Sequence, residues 1–307
     1  MRVYKIIIIS VLLSFICLEM SGQQDPEYTQ YMYNMNIINP AYAGSKDALS
    51  IGVLGRRQWV GVSGAPRTFT AAIHSPVGKN VGLGLSFISD RVGPVEETTA
   101  YADFSYTIKT SEEGKLAFGL KAGFTFQSIG LLRLTQVDPN DPLFQENINN
   151  TYPNIGAGLY YYTDRFYLGL SVPNILESTH FDDGNGIVSS ASEEMHTFFT
   201  GGYVFDVSDK VKFKPSAMLK FAFNTPLSVD VSANFLFNEK FELGAAYRWD
   251  DSFIGMANFL IDDSLRIGYA YDHTTSNLGQ FNSGTHEVFI LFDFAFERAK
   301  YRSPRFF

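Results

Sequence analysis

Apolar and polar residues alternate with a period of two along most of the chain from 47 to 296, in fourteen short runs. Clear examples are residues 81–87, 116–126, 227–235 and 288–296. Successive side chains of a β-strand point to opposite faces, so each run predicts a strand with one apolar face. Many runs reach about ten residues, which is the length a tilted strand needs to cross a membrane, whereas soluble strands average about five or six.

The pattern therefore predicts an all-β fold: a single transmembrane, antiparallel, up-and-down β-barrel of about 14 strands. An even number of strands places both ends of the barrel chain on the periplasmic side. The predicted strands are 47–56, 67–75, 80–90, 97–109, 114–128, 153–163, 165–174, 195–207, 210–222, 226–237, 240–250, 252–262, 264–273 and 285–296.

The gaps between the predicted strands alternate between short and long. Every even-numbered strand before the last is followed by a compact polar turn, at 76–80, 111–114, 163–164, 208–209, 238–239 and 262–263. The longer gaps, 129–152, 175–194 and 274–284, then all fall at the other end, which we predict to be the cell-surface end. A soluble β-sandwich would show the same alternation of side chains, but it gives no reason for this asymmetry of loops.

The same parity assigns side chains to the two faces of the wall. Apolar residues such as Leu120 and Phe124 are predicted to face lipid, and Lys121 is predicted to face the lumen. We interpret the mixed lumenal charges as pairs that fill the barrel rather than as a selectivity filter. The predicted set is Lys212, Lys214, Lys220, Asp230, Glu242, Arg248, Arg266, Asp272 and Asp293.

The first residues are typical of a secretory signal. Arg2 and Lys5 precede an apolar stretch, 6–17, and small residues follow at Ser21 and Gly22. The predicted organisation is a signal peptide at 1–22, a periplasmic N-terminal segment at 23–46, the barrel at 47–296 and a periplasmic tail at 297–307. The one cysteine, Cys17, lies in the signal, so the mature chain is predicted to have no disulfide.

Composition and spacing argue against other classes of function. The net charge of −8 makes nucleic acid an unfavourable partner. The five histidines, His74, His180, His196, His273 and His286, lack the spacing of a metal site, and no Gly-x-Ser-x-Gly motif is present. We therefore predict a protein that is not an enzyme and holds neither a metal nor a cofactor.

The segment before the barrel has a different character. Tyr28, Tyr31, Met32 and Met35 fall on one helical face, and residues 38–44 have the composition of a turn. This pattern predicts a segment docked in the mouth of the barrel.

Several stretches resemble a known family. They are Asp25-Pro26, Gln30-Tyr31-Met32, the run from Ile38 to Gly44, Arg57-Gln58-Trp59 with Gly64-Ala65-Pro66, and the closing Ser303 to Phe307. Together they are similar to the PorP/SprF family of type IX secretion system membrane proteins. The resemblance implies an integral outer-membrane barrel that works with other secretion components. It also implies a role, associated with gliding motility, in receiving or retaining a large secreted adhesin through that protein's C-terminal sorting domain.

Two functions remain open from the sequence. The first is export or anchoring of one surface protein, bound by the outward loops and by Arg56, Arg57, Gln58 and Trp59 at the end of the first hairpin. These four residues could equally anchor the barrel in the membrane interface, with the arginines pairing with phosphate. The second function is an outer-membrane transport barrel for apolar small molecules.

Overall fold

Fifteen antiparallel strands are present in the computed structural model, which describes residues 27–134, 146–176, 195–223, 225–296 and residue 305. Strand β15 pairs with β1 over ten residue pairs and closes the sheet into a barrel. The strands are β1 (Ala48–Arg57), β2 (Arg67–Pro76), β3 (Val81–Val92), β4 (Val95–Lys109), β5 (Lys115–Ile129), β6 (Ile148–Tyr162), β7 (Phe166–Val172), β8 (Thr197–Tyr203), β9 (Phe205–Ser208), β10 (Val211–Phe221), β11 (Ser228–Phe237), β12 (Phe241–Arg248), β13 (Ser252–Leu260), β14 (Leu265–Thr274) and β15 (Thr285–Ala295).

Strands β8 and β9 occupy one position in the wall, because both pair with β10. They are separated at Val204, opposite the part of β10 that contains Pro215. Proline has no backbone N–H to donate, so a strand ladder is weakened where it occurs. The fifteen strands thus fill fourteen positions, and the predicted 14-stranded barrel is confirmed.

The two ends of the barrel differ as predicted. One end, here called the short-turn end, carries six tight connections, in one of which Asn238 and Glu239 adopt the left-handed conformation with φ of 50° and 58°. The other, the long-loop end, carries the connections 58–66, 130–147, 173–196 and 275–284. Parts of the predicted loops 129–152 and 175–194, namely 135–145 and 177–194, lie outside the described residues.

The predicted sidedness of the wall is also confirmed. On β5 the side chain of Leu120 is 62% exposed on the outer surface, whereas its neighbour Lys121 is 2% exposed and faces the lumen. Phe118, Phe124 and Phe126 share the outward face. An outer wall of this kind suits contact with lipid, because burial in hydrocarbon removes apolar surface from water.

The core of the protein lies inside the barrel and is formed largely by residues 27–46. These residues form a 3₁₀ turn at Tyr31–Tyr33, a single α-helical turn, α1, at Met35–Ile38, and a second 3₁₀ turn at Pro40–Tyr42. The part of the chain that the structure describes holds no helix with the length and apolarity to span a membrane. The buried side chains of the segment pack with Tyr160, Tyr167, Phe198, Phe289 and Leu291 of the wall.

The segment runs the length of the lumen. Glu27 pairs with Arg248 at the long-loop end, with a distance of 2.9 Å between Nη1 and Oε2. Lys46 pairs with Asp293 near the short-turn end, with Nζ and Oδ1 3.0 Å apart. The expectation of a segment docked only in the mouth is therefore wrong, since buried polar groups along the whole lumen wall bind it.

The path of the segment bears on the predicted periplasmic location of residues 23–46. Residue 27 lies at the long-loop end, and β1 begins at the opposite end. If the long loops face the cell surface, Glu27 is on that side, and a periplasmic location for this part of the N-terminal segment does not hold. Which end faces the periplasm stays a prediction.

Candidate functional site

The long-loop end of the lumen is closed by a buried ionic cluster around Arg56. Its guanidinium lies 2.9 Å from Asp272 Oδ2 and 3.3 Å from Glu287 Oε2. The fully buried Glu287 carboxylate also accepts hydrogen bonds from the backbone N–H groups of Thr29 at 3.0 Å and Gln30 at 2.7 Å. A single carboxylate therefore joins the wall to the N-terminal segment through bonds that are charge-assisted.

Arg248 makes a second junction at this end. It donates to both carboxylate oxygens of Asp230 at 2.9 Å, and its Nη1 lies 2.9 Å from Oε2 of Glu27. In the adjoining turn, burial raises the pKa of the Asp251 carboxyl above its ordinary value, and nearby Glu27 raises it further while Arg248 opposes both. The negative charge of Glu27 disfavours ionisation of Asp251, whereas the positive charge of Arg248 favours it.

In the middle of the lumen, Tyr33 of the segment fits among charged wall residues. Its hydroxyl donates to Glu242, which also accepts from Arg266 at 3.1 Å. The Tyr33 ring stacks on Phe289 with centroids 4.6 Å apart, and Lys214 Nζ lies 5.3 Å from the ring centre. The ring thus combines apolar burial with cation–π attraction.

Lys121 holds the segment from the opposite wall. Its Nζ lies 3.2 Å from Asp103 Oδ1, and it donates to the backbone carbonyl oxygens of Asn36 at 3.2 Å and Ile37 at 3.0 Å. Asn36 in turn donates to Asp103 at 3.0 Å. The predicted pairing of lumenal charges is confirmed for Asp230, Glu242, Arg248, Arg266, Asp272 and Asp293. Some of these residues also bind the segment, as Arg248 does through Glu27 and Asp293 through Lys46.

Glycines in the wall provide room for the backbone of the segment. A Cβ atom on Gly119 would lie 2.1 Å from the nitrogen of Ala41, and one on Gly82 would lie 2.1 Å from the oxygen of Ala43. A Cβ on Gly158 would come within 2.2 Å of Asn39 Oδ1. These contacts are shorter than any side chain could accept, so the wall is shaped to this segment.

At the short-turn end, Arg305 joins the C-terminal residues to the segment. Its guanidinium donates to the carbonyl oxygens of Thr163 at 2.7 Å and Ser45 at 3.1 Å, and lies 4.2 Å from the centre of the Tyr162 ring. Arg305 is the one described residue of the predicted tail 297–307, and it belongs to the closing motif that resembled the family. A role in closing this end of the lumen was not visible in the sequence.

The four predicted contact residues do not form one surface. Arg56 is 5% exposed and is committed to Asp272 and Glu287, so it is corrected to a lumen residue. Arg57, Gln58 and Trp59 line a pocket of about 200 Å³ on the outside of the long-loop end. The alternation of strand β1 explains the division, because Arg56 and Arg57 are neighbours and must point to opposite faces.

One exposed aromatic residue escaped the sequence analysis. Phe281 lies in the connection 275–284, just after a 3₁₀ turn at Asn277–Gln280, and its side chain is 73% exposed. A large apolar residue among polar loop residues was the available signal. Its position at the tip of an ordered loop makes it a candidate anchor for a partner.

Three of the described histidines, His74, His273 and His286, lie in different strands of the wall. His74 accepts a hydrogen bond from the backbone of Gly44 at 3.2 Å inside the lumen, and His286 lies on the outer face beside Tyr269. His180 lies outside the described residues. Among the residues that the structure describes, no three His, Cys, Asp or Glu side chains are grouped so that they could hold a metal ion.

A closed antiparallel barrel with an apolar outer wall and a polar, filled lumen defines an integral outer-membrane β-barrel protein. Residues 20–292 match the family model described as type IX secretion system membrane protein PorP/SprF. The chain belongs to this family, as the motifs at its two ends indicated. A comparison with curated protein sequences gave no match.

Solved structures share the fold. The chain is similar to the CymD monoaromatic hydrocarbon channel, with a TM-score of 0.51 and 11% identity over 88% of this chain and 93% of that one. It is also similar to a Pseudomonas aeruginosa FadL homologue, with a TM-score of 0.50 and 12% identity over 90% and 96% of the two chains. At such low identity the similarity concerns the architecture of the barrel alone.

Proposed function

We propose that this type IX secretion barrel is not an enzyme and not a conduit, and that it helps to export or anchor a large surface protein. It binds the C-terminal sorting domain of that protein at the long-loop end, together with other components of the secretion system. The observation that carries this proposal is the filled lumen, which leaves the rim of the barrel as the surface for a macromolecular partner.

The packing of the N-terminal segment inside the barrel supports a binding role over a passage. A cavity that remains in the lumen beside Tyr28 and Tyr101 measures only about 60 Å³. An extended polypeptide strand needs a path about 5 Å by 10 Å in cross-section. A secreted chain could enter only by displacing residues 27–46 and their buried ion pairs.

The rim itself is ordered by contacts between two loops. Val60 N donates to Gly284 O at 2.8 Å, and Ser283 N donates to Val60 O at 2.7 Å. Trp59 N donates to Thr285 Oγ1 at 3.1 Å. These bonds join the two loops that carry Trp59 and Phe281, and residues on pre-ordered loops lose little conformational entropy on binding.

Residues 135–145 and 177–194, which belong to two of the loops predicted to face outward, lie outside the described residues. The connections to which they belong exceed about 12–15 residues, a length that in compact folds is usually functional or disordered. We include them in the proposed contact surface on that ground. Transport of apolar small molecules, the second function considered from the sequence, has the support of a shared barrel architecture only.

The proposal is tested by introducing a negative charge at the rim and measuring retention of the surface protein. Phe281→Asp should lower the amount of the proposed large surface protein retained on cells by about tenfold or more, as expected for loss of an aromatic anchor. Gln280→Glu adds the same charge one residue away and should leave retention unchanged. Normal retention by an assembled Phe281→Asp barrel would contradict the placement of the contact at this rim.

A further inference from the structure

Three arginines stand side by side on the outer face of the barrel at the long-loop end. Arg57 of β1 lies directly opposite Arg67 of β2, and Arg67 lies directly opposite Arg91 of β3. Directly opposite side chains have Cβ atoms about 4.5–5.5 Å apart, so the row spans roughly 10 Å. The next position on β4 is Glu96, which pairs with Arg91.

Two of the three arginines in the row carry uncompensated positive charge. Among the described residues, neither Arg57 nor Arg67 has an ion pair or a side-chain hydrogen bond. Like charges directly opposite each other destabilise a sheet. In a chain with a net charge of −8, such a local excess of guanidinium groups calls for an anion from outside the protein.

The level of the row along the barrel indicates where that anion comes from. Below the row, on the same outward parity, Val53, Phe69 and Phe87 are exposed and form part of the apolar wall. Beside it, His286 lies opposite Arg57 and Tyr271 lies opposite His286, which continues the row with rings. Aromatic side chains of barrels collect at the membrane interface, so the arginines lie at the depth of lipid headgroups.

A pocket is formed above the row. The connection 58–66 lies against the arginines and encloses about 200 Å³ between Trp59, Gly93 and the three guanidinium groups. Gly93 N donates to Gly64 O at 2.8 Å, which ties this connection to the β3–β4 turn. Both glycines have positive φ, 74° for Gly64 and 57° for Gly93, a conformation that other residues rarely adopt.

We propose that Arg57, Arg67 and Arg91 bind the phosphate groups of a lipid of the outer leaflet, whose acyl chains lie along the apolar wall below. Guanidinium groups bind phosphate in a planar, two-pronged geometry, and a row of three matches a headgroup with more than one phosphate. The three arginines lie on strands β1 to β3 of the outer wall, whereas Phe281, the residue tested for the protein contact, lies in the connection 275–284 and does not line the pocket. The two sites can therefore be tested separately.

The test is native mass spectrometry of the full-length protein in a neutral detergent with added diphosphorylated lipid A. The wild type should retain the lipid, and Arg57→Gln with Arg67→Gln should weaken retention by about tenfold or more. The matched control is Lys79→Gln with Lys210→Gln, which removes two exposed charges at the short-turn end and should retain lipid A as the wild type does. If the double arginine variant does not assemble, lipid A retention is measured for Arg67→Gln alone, which should also be weaker than for the wild type.

Three results would overturn the proposal. One is equal retention of lipid A by the arginine variant and the wild type. Another is displacement of lipid A by equimolar inorganic phosphate, which would indicate a site for a free anion. The third is equally tight binding of phosphatidylglycerol, which would remove the preference for a diphosphorylated lipid. If the arginine variant retained lipid A but held less of the surface protein on cells, the arginines would be assigned to a protein contact instead.

Discussion

Replacing Glu287 by glutamine should loosen the N-terminal segment at the long-loop end of the lumen. The carboxylate accepts hydrogen bonds from two consecutive backbone N–H groups, those of Thr29 and Gln30, and pairs with Arg56. A glutamine side chain has one acceptor oxygen, so one N–H loses its partner and Arg56 keeps only Asp272 as a counter-ion.

The magnitude follows from these contacts. A hydrogen bond to a charged group contributes about 1.5–3 kcal/mol, and breaking a buried ion pair costs about 3–5 kcal/mol. Because Asp272 still pairs with Arg56, we expect the total at the lower end, about 3 kcal/mol. This corresponds to a roughly hundredfold rise in the population of barrels with a displaced segment.

Conductance across a planar lipid bilayer measures that population, because a displaced segment opens the lumen to ions. Glu287→Gln should show about a hundredfold greater open probability than the wild type. The control is Glu97→Gln, which changes another lumenal carboxylate whose partner, Gln127 at 2.7 Å, belongs to the wall. Closed Glu287→Gln channels in an assembled barrel, or equal opening of both variants, would refute the role assigned to Glu287.

The other predictions concern topology, the wall and the fit of the segment. A protease added to intact cells should cut within 129–152 or 175–194 and spare the short turns 208–209 and 238–239, and the reverse pattern would show that the barrel has the opposite orientation. Leu120→Arg should reduce assembly of the barrel, measured as the folded fraction on a gel, because a charge in the lipid-facing wall costs about 2–4 kcal/mol. Gly119→Ala places a Cβ against Ala41 and should raise conductance about tenfold through overpacking, whereas Gly255→Ala, with open space around its Cβ, should not.

The wall of the barrel was predictable because its signal is local. Period-two alternation depends only on neighbouring residues, and it gave the number of strand positions, the short turns and the outward face of Leu120. The same alternation could have separated Arg56 from Arg57. The break between β8 and β9 also has a signal, in Pro215 of the facing strand β10, although the alternation predicts one continuous strand over 195–207.

The filling of the lumen was not predictable in the same way. Glu27 meets Arg248, and Thr29 meets Glu287, across more than two hundred residues of sequence. Such contacts follow from closure of the barrel, which brings β11 to β15 around the N-terminal segment, and no local periodicity encodes them. The segment's short turns also left a helical pattern too brief to indicate where it would dock.

Site-specific photo-crosslinking in living cells tests the central claim most directly, namely that a surface protein is held at the rim of a barrel filled by its own N-terminal segment. A photoreactive phenylalanine derivative would replace Phe281 at the rim or Tyr160, a buried aromatic residue of the lumen. We predict crosslinks to a large surface protein from position 281, and crosslinks only within the chain from position 160. Crosslinks to the surface protein from position 160 would show that it enters the lumen and would contradict the account.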